Sequence, residues 1–455
     1  MEYVFVGGKI SNSIKVNYYP ASVNQSKNLL ISLIEILSSC SGKNIPRINS
    51  FFSNLKTLNE SCKTFRSFID SGGYSIIVGD VKGEDVQSFI YWYCESMKKG
   101  IDLYDCIFSL DIPIFLDEPK YNTKESIESF NRLSLESTIN VAESCPDIWN
   151  KLYFIWQFKI KEQYDIWEKL YKDLNLNDMI KNRALGGMVG LRGITQINFS
   201  PFIGPMYRCL LDYIDHGDFS FPFKLHNLGI YIQHDRFMLC FLEKLFNKYL
   251  NRDDSLVTYD SVNYMRTAQL RSKDLNIYTF RSKNKIEIMK HFEVPDEILK
   301  KVYYDESFNG IKEEIDNVKS GKNLDNIDAF TPLNIYSNVQ LDKFFSDIID
   351  RYNLIEIFYN NSGLRGPLNA MQSAHHNVFT SNRMRCIKQN FLKLWDFHNW
   401  FIKDRRYKTL TPIMDKFIAD IKFPAKLENA KPEETVPSQN AFNTILTQLG
   451  GTNGT

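Results

Sequence analysis

Two aspartates have types and settings that could do chemistry. Asp70 ends a short apolar run in RSFIDSGGYSIIVG, and Asp260 ends another in SLVTYDS. Two carboxylates facing one substrate can divide labour: one attacks as a nucleophile, the other donates and accepts a proton. Cleaving a glycosidic bond with retention needs such a pair and passes through a covalent sugar–enzyme intermediate. Taken singly, each residue has a plainer role. DSGG is a turn-former, and Asp260 can cap a helix starting near Ser261. The chemical reading therefore depends on a fold that brings both residues to one place.

The surrounding chain suggests such a fold. Short apolar runs alternate with amphipathic stretches from residue 28 to about 280: NLLISLI, RSFIDS, DCIFSLDIP, LYFIWQF, ALGGMVG, FKLHNLGI, SLVTYDS and LNIYTF. Strand and helix alternating about eight times over roughly 250 residues predicts an α/β fold, a (β/α)8 TIM barrel. A doubly wound open sheet is the competing arrangement. The barrel is favoured because polar or glycine residues (Asp70, Asp111, Gln157, Gly186, Gly187, Gly229, Asp260) gather at the ends of several different runs. Barrel active sites are built from those ends.

The expected division is a barrel over residues 1–300, a mainly helical addition over 301–425 and a flexible polar tail over 426–455. Within the helical part, SNRMRCIKQNFLKLWDFHNWFIKDRRYKTL interleaves basic and aromatic residues. It reads as an amphipathic helix with a core stripe, or as a phosphate-tracking face carrying Arg383, Arg385, Lys388, Arg405 and Arg406. The net charge of +1 gives no global pull towards nucleic acid, so any such footprint is local. The 8 cysteines are scattered with no CxxC, which suggests a reducing compartment. The first residues lack the basic start and apolar run of a secretion signal, and no stretch approaches a membrane span. These features predict a cytoplasmic protein with no membrane partner.

Several motifs, in order along the chain, resemble the queuine-type tRNA-guanine transglycosylases. FIDSGGY resembles that family's DSGG-aromatic motif. FSLDIP, FIWQF, LGGMVG and LHNLGI resemble its base-reading Asp strand, its Gln strand, its glycine loop and its leucine-glycine strand. VTYDSVNYMR resembles its nucleophile strand, and GPLNAMQSAHHNVFTSNRMRCIKQ resembles the helix bearing its His-Asn pair. Each match is short, and together they span roughly residues 65–390. The resemblance implies a base exchange. Asp260 would attack C1′ of a target guanosine, and Asp70 would shuttle the proton. Asp111 and Gln157 would read the base edge, and Tyr74 would stack on its face. Ser71, Gly72, Gly73, Gly186, Gly187, Leu228 and Gly229 would line the base pocket, and Arg266 would meet a phosphate or pair with a carboxylate.

Each implied role has a bland counterpart in the sequence. Asp111 precedes Ile112-Pro113, where a strand would end in any case. Gln157 lies in a very apolar run and fits a satisfied core amide. Gly186-Gly187 fits a helix stop. His226 and His234 read as surface or satisfied core residues.

The chain also departs from the family pattern. The family's structural zinc is held by CxCxxC and the His of the His-Asn pair. His376-Asn377 is present, but FTPLNIYSNVQL, where the cysteines belong, has none. One His cannot hold zinc, so the expectation is no metal or other cofactor, with apolar packing in its place. Phe158 follows Gln157 where the family has Gly, and NYMR replaces its Pro-Thr-Arg. These changes resemble the divergent relatives that insert a free 7-deazaguanine base into DNA. The expected partners are thus DNA, or alternatively tRNA, together with the free base and either helper proteins or a second copy of the chain. A non-catalytic nucleic-acid-binding partner subunit and a barrel hydrolase of small glycosides are the readings from other classes.

Overall fold

A computed structural model describes residues 1–6, 19–33, 44–62, 65–72, 86–111, 124–157, 161–176, 182–186, 199–216, 221–261, 276–282, 285–303, 305–322 and 327–421. Eight parallel strands close a barrel in sequence order: β1 (Glu2–Val6), β2 (Asn28–Ser32), β3 (Arg66–Asp70), β4 (Cys106–Phe108), β5 (Leu152–Gln157), β6 (Asn182–Gly186), β7 (Lys224–Asn227) and β8 (Leu256–Ser261). Helices α1 (Tyr19–Ser26), α2 (Asn44–Ser61), α3 (Val86–Lys99), α4 (Lys124–Ser144), α5 (Lys161–Asp173), α6 (Ile203–His216) and α7 (Gln233–Leu250) follow the first seven strands in turn. The fold is a (β/α)8 barrel with a helical addition, as the alternation predicts.

The strands are apolar on both faces because both faces are covered. Phe68, Phe108, Tyr153, Ile155 and Ala184 fill the barrel interior. Their neighbours Ile69, Ile107, Phe154, Trp156 and Leu185 face the helices. Alternation of side chains along each strand accounts for the split.

Two strand assignments differ from the sequence expectation. The barrel begins with Glu2–Val6, which pairs with β2 on one side and β8 on the other, whereas the apolar runs were counted from residue 28. The run near 275–280 is not a barrel strand. It forms β9 (Asn276–Ser282), paired antiparallel with β10 (Lys285–Lys290) outside the barrel. Among the described side chains of β9, Ile277 and Thr279 are buried while Tyr278 and Phe280 stay half-buried, the pattern of a ribbon covered on one face.

After the ribbon come α8 (Asp296–Val302), α9 (Asp305–Lys319), α10 (Thr331–Arg351), α11 (Leu354–Tyr359), α12 (Arg365–Ala374), α13 (Ser381–Lys403) and α14 (Tyr407–Ala419). Helix α10 packs on α1, α7 and β1, and so fills the eighth helix position of the ring. Tyr259 on β8 seals that join by donating its hydroxyl to Asp342 Oδ2 (2.7 Å). Helix α13 lies over α7, with Phe391 against Phe241 at 4.8 Å. One hydrophobic core therefore runs from the barrel's outer face into the C-terminal helices. The predicted tail lies outside the described residues. No described helix is long and apolar enough to cross a membrane.

Candidate active site

Strands β3 and β8 stand three places apart around the barrel, with β1 and β2 between them, and each turns an aspartate inward. Phe68 faces the interior, so Asp70, two residues on, does too. Thr258 meets the interior ring of His226, so Asp260 also points in. Burial pushes the Asp70 carboxyl up to about 7, and the nearby charge of Asp260 pushes the same way. The backbone N–H groups of Gly72 and Ser71 oppose that rise. Part of Asp70 still reaches the barrel mouth, whereas Asp260 is buried.

Asp260 is held by one oxygen. Its Oδ1 accepts the N–H of Gly229 (2.8 Å) and lies 3.3 Å from His226 Nε2. Gly229 adopts φ +75°, a conformation that costs glycine nothing and turns its N–H towards the carboxylate. Leu228, just before it, packs on the interior cluster.

A second cluster sits on the β3–β6 side. Asp111 lies three residues beyond β4, buried, with Ser71 Oγ 3.5 Å from its Oδ1. Gln157, the last residue of β5, donates Nε2 to Asp111 Oδ2. Burial, and next the charge of Asp70, push the Asp111 carboxyl well above the usual range, while the bonds from Ser71 and Gln157 oppose that rise. Gly186 pairs in register with Gln157 and makes room for it. A Cβ at Gly186 would stand 2.7 Å from Gln157 Cγ and 2.8 Å from Cδ. The structure thus gives this glycine a reason different from the expected one, because the neighbouring amide itself occupies the space over the backbone.

Three carboxyl groups share this mouth, and among the described residues none is paired with Lys or Arg. The structure brings together Asp70, Ser71, Gly72, Asp111, Gln157, Gly186, Leu228, Gly229 and Asp260. Gly73, Tyr74, Gly187 and Arg266 lie outside the described residues. His226 was legible only as a surface or core residue. It is fully buried, with Phe108 at 4.9 Å and Phe68 at 5.6 Å, and it also touches Asp260. The available signal was register, since the inward positions of β8 run Thr258, Asp260, and His226 pairs with Thr258 across the ladder.

The basic residues of the C-terminal segment do not form one face. In the first half of α13, Asn390 accepts the Ser200 N–H just before α6, at the end where the strands finish. At the other end of α13, Phe401 stacks on Tyr249 of the last turn of α7 at 4.2 Å. Arg383, Arg385 and Lys388 therefore lie towards the mouth end, and Arg405 and Arg406 towards the opposite end, roughly 30 Å away by helix rise. Arg405 lies over Phe401 at 4.4 Å, and Arg406 pairs with Asp404. The interleaved aromatics face the core: Phe391, Phe397, Trp400 and Phe401 are all buried.

His376 is exposed, while His375 packs beside Phe344 (5.2 Å). Around 330–341 the start of α10 buries Phe330, Leu333 and Ile335. Among the described residues no three His, Cys, Asp or Glu side chains gather as a metal site would need. This part of the chain does not fit a zinc ion.

The chain matches no protein-family model, and no curated protein matches its sequence.

Proposed function

We propose that the chain is a base-exchange transglycosylase, which replaces a guanine in DNA by a free 7-deazaguanine base through a covalent Asp260–sugar intermediate. The observation that carries this reading is the pair of aspartates at one barrel mouth. Asp70 and Asp260 stand near enough for one charge to raise the other's pKa, and among the described residues neither has a Lys or Arg paired with it. A carboxyl titrating near 7 can give up a proton and take it back at neutral pH. A carboxylate fixed by a backbone N–H is suited to attack.

The exchange then runs in two balanced halves. Asp260 attacks C1′ while the C1′–N9 bond breaks, and its electron pair leaves with guanine. The Asp70 proton goes to the departing base, which leaves an Asp260 ester and an Asp70 carboxylate. The incoming base gives its N9 proton to Asp70, its N9 attacks C1′, and the Asp260 carboxylate is released. The Asp111 carboxyl and the Gln157 amide together offer acceptors and a donor to the polar edge of a guanine-like ring. The target nucleotide has to leave its stack to reach them.

DNA as the polymer rests on the sequence departures at Phe158 and NYMR. On this reading the mouth-side group Arg383, Arg385 and Lys388 would follow its phosphates.

The test is incorporation of labelled guanine into duplex DNA, single-stranded DNA and tRNA in parallel. Label entering DNA alone supports the proposal, and label entering tRNA alone moves the substrate to tRNA. No label in any polymer from a folded chain overturns the exchange reading. Asp260→Asn is expected to abolish the covalent adduct and leave binding of the free base within about twofold.

A further inference from the structure

His226 is a buried, titratable group that the exchange above does not use. Its ring is closed in by Phe68 and Phe108 and is 0% exposed, so a substrate has no path to it. Both ring nitrogens nonetheless meet polar atoms. Nε2 lies 3.3 Å from Asp260 Oδ1, and Nδ1 lies 2.9 Å from Thr258 Oγ1. A carboxylate oxygen can only accept, so the nitrogen facing it must carry the proton. A neutral ring then has Nδ1 as an acceptor, and the Thr258 hydroxyl is the donor within reach. The other acceptor available to that hydroxyl, the Leu225 carbonyl, is farther away at 3.5 Å.

We propose that His226 is a positioning residue: Thr258 holds it as the Nε2–H tautomer, and together with the Gly229 N–H it clamps Asp260 through Oδ1, leaving Oδ2 as the attacking oxygen. Among the described residues both protein donors to Asp260 reach Oδ1 and none reaches Oδ2. Two donors on one oxygen fix both rotation angles of the carboxylate. They also direct the chemistry to Oδ2, which accepts no bond among the described residues. The assignment of Oδ2 as the attacking atom rests on the base-exchange reading, whereas the tautomer and the clamp do not.

The test has two arms. In the whole chain labelled with 15N-histidine, the ring nitrogens are read by two-bond 15N–1H correlation, with the His226 signals identified by their loss in His226→Gln. The expected pattern is a neutral Nε2–H ring that changes tautomer or loses its fixed pattern in Thr258→Val. A neutral Nδ1–H ring in the wild type overturns the clamp whatever the protein's activity. In the second arm, His226→Leu is expected to slow formation of the covalent adduct by about 100-fold, with affinity for the free base unchanged. His226→Gln, which can again present an N–H to Asp260, is expected to restore most of that rate. Equal rates in the Leu and Gln variants, both folded by thermal melt, would overturn the positioning role. If the wild type forms no adduct with any polymer while the Nε2–H pattern is present, the exchange reading fails and the clamp stands.

Discussion

Buried carboxylates in the helical jacket and at the barrel mouth are treated in opposite ways. Between α7 and α10, Asp342 accepts two bonds from Arg236 (Nε 3.0 Å, Nη2 2.6 Å) and a third from Tyr259. On α6, Asp212 meets Arg208, Arg183 (3.4 Å) and the Tyr407 hydroxyl. At the mouth, Asp70, Asp111 and Asp260 meet amides, hydroxyls, an imidazole and each other. A cation would stabilise these carboxylates, and it would also lower their pKa values and neutralise a nucleophile. The jacket uses charge to join elements, whereas among the described residues the mouth carboxyls have no Lys or Arg partner. Clusters of this kind, costly to the fold and set in a cleft, are where function is expected.

The contrast is most easily broken in the jacket. Arg236→Met leaves Asp342 buried with only the Tyr259 hydroxyl. Removing one partner of a buried ion pair costs about 3–5 kcal/mol. The expected result is a large drop in unfolding free energy by denaturant titration, with base exchange per folded molecule retained. Adding Asp342→Leu is expected to recover much of the loss. If Arg236→Met is neutral, the jacket pairs are not what secures α10 to the barrel.

Asp70→Asn is expected to act in the opposite sense. Asp70 has a folded pKa of about 7 against an ordinary value of 3.8, with burial the main cause. Between those values the folded chain keeps a proton that the unfolded chain has released. Stability therefore falls as pH rises through this window, and the full penalty is present above pH 7. Removing the charge is expected to stabilise the protein at pH 8 by up to about 4 kcal/mol, and hardly at all near pH 4. The same variant is expected to lose base exchange. In the wild type, the first half of the exchange is expected to slow above about pH 7 as the acid ionises. Equal stability of Asp70→Asn and wild type at pH 8 would show that the mouth carboxyls carry no such penalty.

The barrel was legible because apolar runs alternate with amphipathic stretches, and because Asp, Gln or Gly stands at the ends of several runs, which distinguishes a barrel from an open sheet. The first strand escaped because EYVFV precedes the region where the alternation is visible. The ribbon strand was counted in its place because NIYTF is as apolar as a barrel strand, and only its one-sided burial separates the two. At the site, Asp70, Asp111, Gln157 and Asp260 were legible one by one from type and position. Their grouping depends on barrel closure, which sequence spacing does not express. His226 was missed because a histidine in an apolar run carries no mark of what it faces; that depends on its register with Thr258. The basic stretch is the amphipathic helix with a core stripe that its spacing suggests, and a helix lays the separation of Arg383 and Arg406 out along its axis, so they lie near opposite ends of α13.

The smallest effects expected come from two glycines that face similar obstacles in the two regions. At Gly186 a Cβ would stand 2.7 Å from Gln157 Cγ. At Gly204, in α6, it would stand 2.9 Å from Met414 Sδ, 3.0 Å from Phe417 and 3.1 Å from Phe397. In the jacket the obstructing atoms are packed on every side, so Gly204→Ala has to push α14 outward, an overpacking cost of about 1–3 kcal/mol. At the mouth the obstructing side chain can swing into the cleft. Gly186→Ala is then expected to break the Gln157–Asp111 bond at a stability cost near 1 kcal/mol, and to weaken affinity for the free base about tenfold or less. Gly204→Ala is expected to lower the melting temperature and leave base affinity unchanged. Calorimetric titration with the free base and a thermal melt on each variant measure both effects. If Gly186→Ala loses stability but keeps base affinity, Gln157 is a core amide and Asp111 loses its assigned partner in reading the base.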